Sequence, residues 1–179
     1  MIYVLLANGF EEIEALAFID ILRRADIPIA AVSIYDDLTV TGSHNISVVS
    51  DMCISDIENE DIDAIVLPGG MPGTLNLLES DKVKSLINYA FDNNKYLGAI
   101  CAAPMIFGKM MLLNSKKATC YPGFEKELTG AEVLKDDVVK DGNIITSRGA
   151  GTAHKFAHCF ISEFKSKEKA DDVISSMQY

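Results

Sequence analysis

The stretch "YLGAICAAP", Tyr96–Pro104, puts a thiol where an apolar run ends and small residues begin. Around Cys101 the pattern is small-x-cysteine-x-small, with Ala99 and Ala103 two residues away on either side. A nucleophile elbow requires such neighbours, because its sharp strand-to-helix turn crowds them against the backbone. A cysteine in that place is presented at a helix N-terminus, where unpaired N–H groups and the helix dipole favour the thiolate. The N–H of Ala102 would then be free to meet an oxyanion. The other three cysteines, Cys53, Cys120 and Cys159, make no C-x-x-C pair and no zinc-ligand spacing with it. Free cysteines are mostly buried and inert, so a special role for Cys101 rests on its turn.

Three other turns strengthen that role. "LPGG" offers side-chain-free N–H groups at Gly69 and Gly70, suited to an oxyanion hole or simply to a tight turn. "NGFEEIE" places Glu11, Glu12 and Glu14 just after the first apolar run. Acids at a helix start are usually solvated partners of the dipole. One turned inward beside a thiolate would be held protonated by burial; it would donate a hydrogen bond to sulfur and then serve as acid or base. "SRGAGT" adds a glycine-rich turn with Gly151 and Thr152 at its end.

The elements that must position these turns are legible in the periodicity. "MIYVLLA", "IPIAAVSIY", "IDAIVLPGG", "KYLGAI", "KKATCY" and "NIITSRGAG" read as strands, and "LTVTGSHNISVVSD" as a hairpin turning at Gly42-Ser43. "EEIEALAFIDILRRA", "SDKVKSLINYAFDNN" with Ser80 as N-cap, "AAPMIFGKMMLL" with Pro104 in the first turn, and "TAHKFAHCFISEFKS" read as helices, followed by a short charged helix. Residues 122–143 read as short strands broken by Gly123, Gly130 and Gly142. Alternation of helices with uniformly apolar strands predicts one α/β domain over residues 1–179, with a mainly parallel sheet covered on both faces. In such sheets the functional crevice lies beyond the carboxyl ends of the strands, which is where all four turns fall.

Composition narrows the function. A net charge of −10 disfavours nucleic acid and anionic membrane as partners. The N-terminal apolar run is too short for a signal segment and lacks a basic flank. No run approaches the roughly 18 apolar residues of a membrane span. The expectation is a cytoplasmic protein with reduced thiols. His154 and His158 have the i, i+4 spacing of two metal ligands, but no third ligand suggests itself, and neither a metal nor an organic cofactor is expected. No G-x-G-x-x-G or P-loop pattern is present for a phosphate ligand.

"NGFEEIEA", "LPGG", "AICAAP" and "TSRGAGT" occur together in the order and at the spacings of the ThiJ/PfpI family, and the chain most resembles its DJ-one group from Met1 to about residue 165. The resemblance implies a flavodoxin-like three-layer α/β/α sandwich and a homodimer. It implies that Cys101 is an oxidation-prone nucleophile, that Glu14 hydrogen-bonds it, and that the N–H groups of Gly70 and Ala102 face it. It sets His44 where members carry a pocket arginine. It implies a glyoxalase that turns methylglyoxal, a small aldehyde substrate, into lactate without glutathione, or a protein deglycase, a chaperone or an oxidative-stress sensor.

The sequence also departs from its relatives. PfpI-type peptidases carry a histidine directly after the cysteine, and here that residue is Ala102, which argues against a peptidase. The His-x-Glu of class I glutamine amidotransferases is absent. Members of the DJ-one group carry a histidine from the strand after the elbow helix, and here that position is Tyr121, whose phenol is a weak base at neutral pH. Its neighbour Cys120 is expected as a buried strand residue near the pocket. Two functions therefore compete: an enzyme acting through Cys101, and a non-catalytic redox sensor or chaperone acting through oxidation of Cys101.

Overall fold

The computed structural model describes residues 1–179. The first apolar run forms β1 (Ile2–Leu6), and helix α1 (Glu12–Arg24) follows after a five-residue loop read directly from the chain. Next come β2 (Ile29–Ser33), the hairpin β3 (Thr39–Thr41) and β4 (Ser47–Val49), and the short β5 (Met52–Cys53). Strand β6 (Ala64–Leu67) leads into α2 (Gly73–Glu79) and α3 (Asp81–Asp92). The elbow is built by β7 (Tyr96–Ile100) and α4 (Pro104–Lys109). The rest comprises β8 (Lys117–Ala118), β9 (Glu132–Val133), β10 (Val138–Asp141), β11 (Ile144–Ser147), α5 (Ala153–Phe164) and α6 (Lys167–Ser176).

The central sheet has seven strands in the order β10-β11-β7-β6-β1-β2-β5. All neighbours run parallel except the β10–β11 edge pair. Period-two alternation splits each buried strand between two cores. Tyr3 and Leu5 of β1 join the side chains of α3 and α4, while Ile2, Val4 and Leu6 join those of α1, α5 and α6. On the second face Phe18, Phe156 and Phe160 form an aromatic knot with ring centroids 5.0–5.1 Å apart. This is the flavodoxin-like α/β sandwich expected from the alternation of elements.

The strand order reverses between β1 and β6: the chain leaves β1 toward β2 on one side and leaves β6 toward β7 on the other. A crevice opens beyond the strand ends at such a switch point. The turns after β1, β6, β7 and β11 all reach that edge because these four strands are parallel.

Three local readings are corrected. The helix expected over "AAPMIFGKMMLL" is limited to Pro104–Lys109, and Met111 just beyond it takes a left-handed φ of 60°. The strand expected over "KKATCY" is only Lys117–Ala118; it pairs with β9 in a separate two-stranded sheet and stays out of the central one. Helix α2, after "PGGMPG", is an element the glycines and prolines concealed. Ser80 does cap α3, its hydroxyl accepting the Val83 N–H at 3.3 Å.

Candidate active site

Cys101 occupies the sharp turn with φ +64°, a backbone region that non-glycine residues enter at a cost of roughly 1–3 kcal/mol. Two hydrogen bonds pin it there. Its N–H donates to the Ser147 carbonyl of the adjacent strand at 2.9 Å, and its carbonyl accepts the Tyr121 N–H at 2.8 Å. The N–H groups of Ala102 and Gly70 both donate to the Cys101 sulfur. Gly70 has φ +89°, and a Cβ there would lie 2.4 Å from the Glu11 nitrogen, so only glycine lets this N–H reach the sulfur.

Helix α1 delivers the acid. Glu14 is buried to 2% exposure; its Oε2 accepts the Gly69 N–H at 2.8 Å, and its carboxyl hydrogen-bonds the Cys101 thiol. Burial raises the Glu14 carboxyl from its ordinary value to about 7. Burial, reinforced by the neighbouring carboxyl, raises the Cys101 thiol to about 12 and outweighs the two N–H donors. Near neutral pH the pair therefore holds at most one negative charge, and it titrates as a unit.

Burial works against the thiolate that the N–H groups at the turn favour. Helix α4 begins only at Pro104, which has no N–H, and lies beyond the residues that touch the sulfur. Burial pushes the thiol toward its neutral form, and the carboxyl beside it is the group placed to exchange its proton. Gly69 is also reassigned: its N–H is spent on Glu14, leaving Gly70 and Ala102 as the donors that face the sulfur.

The other two acids divide differently. Glu12 is buried, not solvated: its carboxylate accepts the His44 N–H at 2.7 Å and meets the His44 Nδ1 at 2.8 Å. Burial opposes its ionisation, but the hydrogen bonds from His44 and nearby backbone bring it down to about 2. His44 is thus tied to the start of α1, with its ring bonded to Glu12 and Ser43, rather than to Cys101 or Glu14. A buried carboxylate needs donors, and the β3–β4 turn supplies them. Glu11, Glu12 and His44 are the one group whose donor atoms, all within 4.8 Å, approach a cation's needs, but those atoms already satisfy one another and Ser43.

The remaining candidates line the rim. The half-exposed Tyr121 ring lies beside Gly149, whose Cβ position would be 3.2 Å from the ring and 4.0 Å from Glu14 Oε1. Thr152 Oγ1 bonds the Ser147 hydroxyl at 2.7 Å, and Gly151 is exposed on the same turn. Cys120 is buried just after β8. His154 stacks on Tyr179 with centroids 4.5 Å apart, and His158 pairs with Asp171 at 2.7 Å, so the i, i+4 histidines face separate partners.

Gly69 tests this geometry. A Cβ on it would come within 2.7 Å of both the Cys101 Cβ and Glu14 Oε2. Gly69→Ala is expected to separate carboxyl from thiol, to lower turnover at least tenfold, and to cost about 1–3 kcal/mol in a urea melt. A variant with normal turnover and stability would refute the claimed close approach.

A cysteine on a strand-to-helix elbow, at the switch point of a parallel sheet, with a buried carboxyl against it, defines an α/β protein built around a single thiol. A profile of the DJ-1/PfpI family matches residues 1–163, and the chain belongs to that family. Protein DJ-1 homolog B of Arabidopsis thaliana is 38% identical over 169 residues, which is 94% of this chain but 39% of that relative, so the chain spans about two fifths of its length. A protein named Deglycase PH1704, from Pyrococcus horikoshii, is 30% identical over 90% of this chain and 97% of its own. The structure of oxidized DJ-1 from Toxoplasma gondii superposes with a TM-score of 0.95 at 33% identity, covering 99% of this chain and 97% of that one. No helix is long and apolar enough to cross a membrane.

Proposed function

We propose that the chain is a cysteine-dependent enzyme acting on small α-oxoaldehydes, converting methylglyoxal and water to lactate without glutathione. The observation that carries this reading is the Glu14–Cys101 hydrogen bond, set against the N–H groups of Gly70 and Ala102. A carboxyl near 7 titrates where a general base is most effective at neutral pH. Glu14 takes the thiol proton as sulfur bonds to the aldehyde carbon, and the two N–H groups hold the developing oxyanion of the hemithioacetal. Glu14 passes the thiol proton to that oxyanion and, ionised again, moves the proton from the aldehyde carbon to the ketone carbon. This gives a lactoyl thioester, and water releases lactate and the free thiol. No imidazole is required in these steps, so Tyr121 in place of a histidine is compatible with them. The relative named as a deglycase supports an enzymatic reading. Purified protein with methylglyoxal and no thiol cofactor is expected to form lactate, read by proton NMR; absence of lactate at micromolar protein would overturn the reading.

A second reading is favoured by the Glu14 carboxyl held against Cys101, one of three partly exposed thiols, and by the oxidized state named for the Toxoplasma relative. The thiol consumes two equivalents of peroxide to become a sulfinate, and the protonated Glu14 donates a hydrogen bond to it. Mass spectrometry after mild peroxide is then expected to find two added oxygens on Cys101 alone. Equal oxidation of all four cysteines would count against a sensing role.

A further inference from the structure

The two edges of the Glu14 carboxyl are not equivalent. Oε2 accepts the Gly69 N–H at 2.8 Å, and a Cβ on Gly69 would lie 2.7 Å from both that oxygen and the Cys101 Cβ, so this edge is closed against the thiol. The other oxygen, Oε1, faces Gly149. A Cβ on Gly149 would lie 3.2 Å from Tyr121 Cδ2, 3.7 Å from Tyr121 Cε2 and 4.0 Å from Glu14 Oε1, its three nearest atoms beyond its chain neighbours. The side chain that Gly149 lacks thus leaves a gap, with the base on one side and the edge of a phenol ring on the other.

Both walls of the gap are tied to the thiol through the backbone. The Tyr121 N–H donates to the Cys101 carbonyl at 2.8 Å, and the Tyr121 carbonyl accepts the Phe124 N–H at 3.1 Å. Gly149 lies two residues beyond Ser147, whose carbonyl accepts the Cys101 N–H at 2.9 Å. Its turn is closed by Thr152: Oγ1 accepts the Gly149 N–H at 3.2 Å, and the Thr152 N–H donates to the Gly149 carbonyl at 2.8 Å. The two bonds that pin Cys101 therefore also set the spacing of the walls. The backbone itself does not demand glycine, because φ 161° and ψ −172° are extended values open to any residue. What a side chain at 149 would take up is the space between Tyr121 and Glu14.

The chemistry sends a substituent into that space. Sulfur bonds to the aldehyde carbon, and Glu14 moves a proton from there to the ketone carbon, so the carboxyl must stand over both. The group carried by the ketone carbon then leaves along the edge of the carboxyl that Gly69 does not occupy. We propose that Tyr121 and Gly149 are the specificity-determining walls for this group, so that the substrate class is α-oxoaldehydes with a short, unbranched substituent and aryl or branched ones are rejected by the Tyr121 ring. The assignment rests on the enzymatic reading of Cys101 and Glu14. The half-exposed ring acts by bulk, and its hydroxyl has no part in the selection.

The experiment compares kcat/KM for methylglyoxal and phenylglyoxal in the wild type and in Tyr121→Ala, Tyr121→Phe and Gly149→Ala. With one water the first aldehyde gives lactate and the second mandelate; in both, hydrogen passes from the aldehyde carbon to the ketone carbon. The wild type is expected to prefer methylglyoxal, and Tyr121→Ala to shrink that preference by about tenfold or more, the scale of steric discrimination in a pocket. Tyr121→Phe is expected to keep the preference, and Gly149→Ala to sharpen it by narrowing the same gap from the opposite wall. A parallel measurement needs no turnover: the rates at which iodoacetamide and its N-phenyl derivative alkylate Cys101, read by peptide mass spectrometry. Sulfur bonds to the methylene carbon, iodide leaves, and the thiol proton passes to buffer. The N-phenyl reagent is expected to be disfavoured in the wild type and to recover in Tyr121→Ala. If methylglyoxal is turned over but neither ratio changes in Tyr121→Ala or Gly149→Ala, the walls are overturned and the enzymatic reading stands. If neither aldehyde reacts in any variant yet the alkylation ratio shifts, the walls stand and the enzymatic reading is overturned. If neither aldehyde reacts and the alkylation ratio is unchanged, both are overturned.

Discussion

Cys101→Ser is expected to lower kcat/KM for methylglyoxal by roughly 10³-fold or more, as when other enzymes lose a covalent nucleophile. The reason lies in the pair and extends beyond the sulfur. A carboxyl near 7 can relieve a thiol of its proton during attack, but it is far too weak a base for an alcohol, and a serine oxygen is the poorer nucleophile. The fold should tolerate the change. The same two backbone bonds, to the Ser147 carbonyl and from the Tyr121 N–H, hold residue 101 whichever side chain it carries. Stability is expected within about 1.5 kcal/mol of the wild type, as for a near-isosteric swap. Lactate assays beside a thermal melt check both halves. A folded variant retaining a tenth of the turnover would mean that water, activated by Glu14, attacks directly and that the thiol is a bystander.

Glu14→Gln is expected to move activity and stability in opposite directions. The amide cannot accept a proton, so kcat/KM should fall by about 10²–10⁴-fold. Its carbonyl oxygen still accepts the Gly69 N–H that Glu14 holds at 2.8 Å, which preserves the local geometry. The stability gain follows from the direction of the pKa shift. The carboxyl titrates at an ordinary 4.5 when unfolded and at about 7 when folded. Between those values the native state binds more protons than the unfolded state, so the free energy of unfolding falls as pH rises through the window and levels off above it. The glutamine variant escapes that loss. It should match the wild type near pH 4.5 and exceed it at pH 8 by on the order of 2–3 kcal/mol, or roughly 5–10 °C in melting temperature. The wild-type pH–rate profile should rise through about 7 as the base is freed. Equal melting of the two proteins at pH 8 would show that Glu14 is not a strained, buried base.

Much of this centre is legible in the chain because its parts carry strong local signals. Small residues around Cys101 announce an elbow, paired glycines announce exposed N–H groups, and alternation of apolar strands with helices announces a parallel sheet. What escapes is whatever depends on burial. The same run of acids contains a dipole partner, a hairpin clamp and a base, and nothing in "EEIE" tells Glu12 from Glu14. A helix N-terminus is a sequence signal, whereas desolvation of the thiol is a property of the assembled pocket. His44 was placed by position alone, and the need of buried Glu12 for donors redirects it.

The bond from the Cys101 N–H to the Ser147 carbonyl sets a timetable for synthesis. The chain emerges from its N-terminus, so Glu14, Gly69, Gly70 and the cysteine are all made before the strand that anchors the elbow. A nascent chain that has passed residue 101 but not residue 147 carries the thiol without its anchor. Maturation of the centre is therefore coupled to completion of the sheet, and premature termination upstream of β11 leaves a cysteine that is exposed but not chemically equipped.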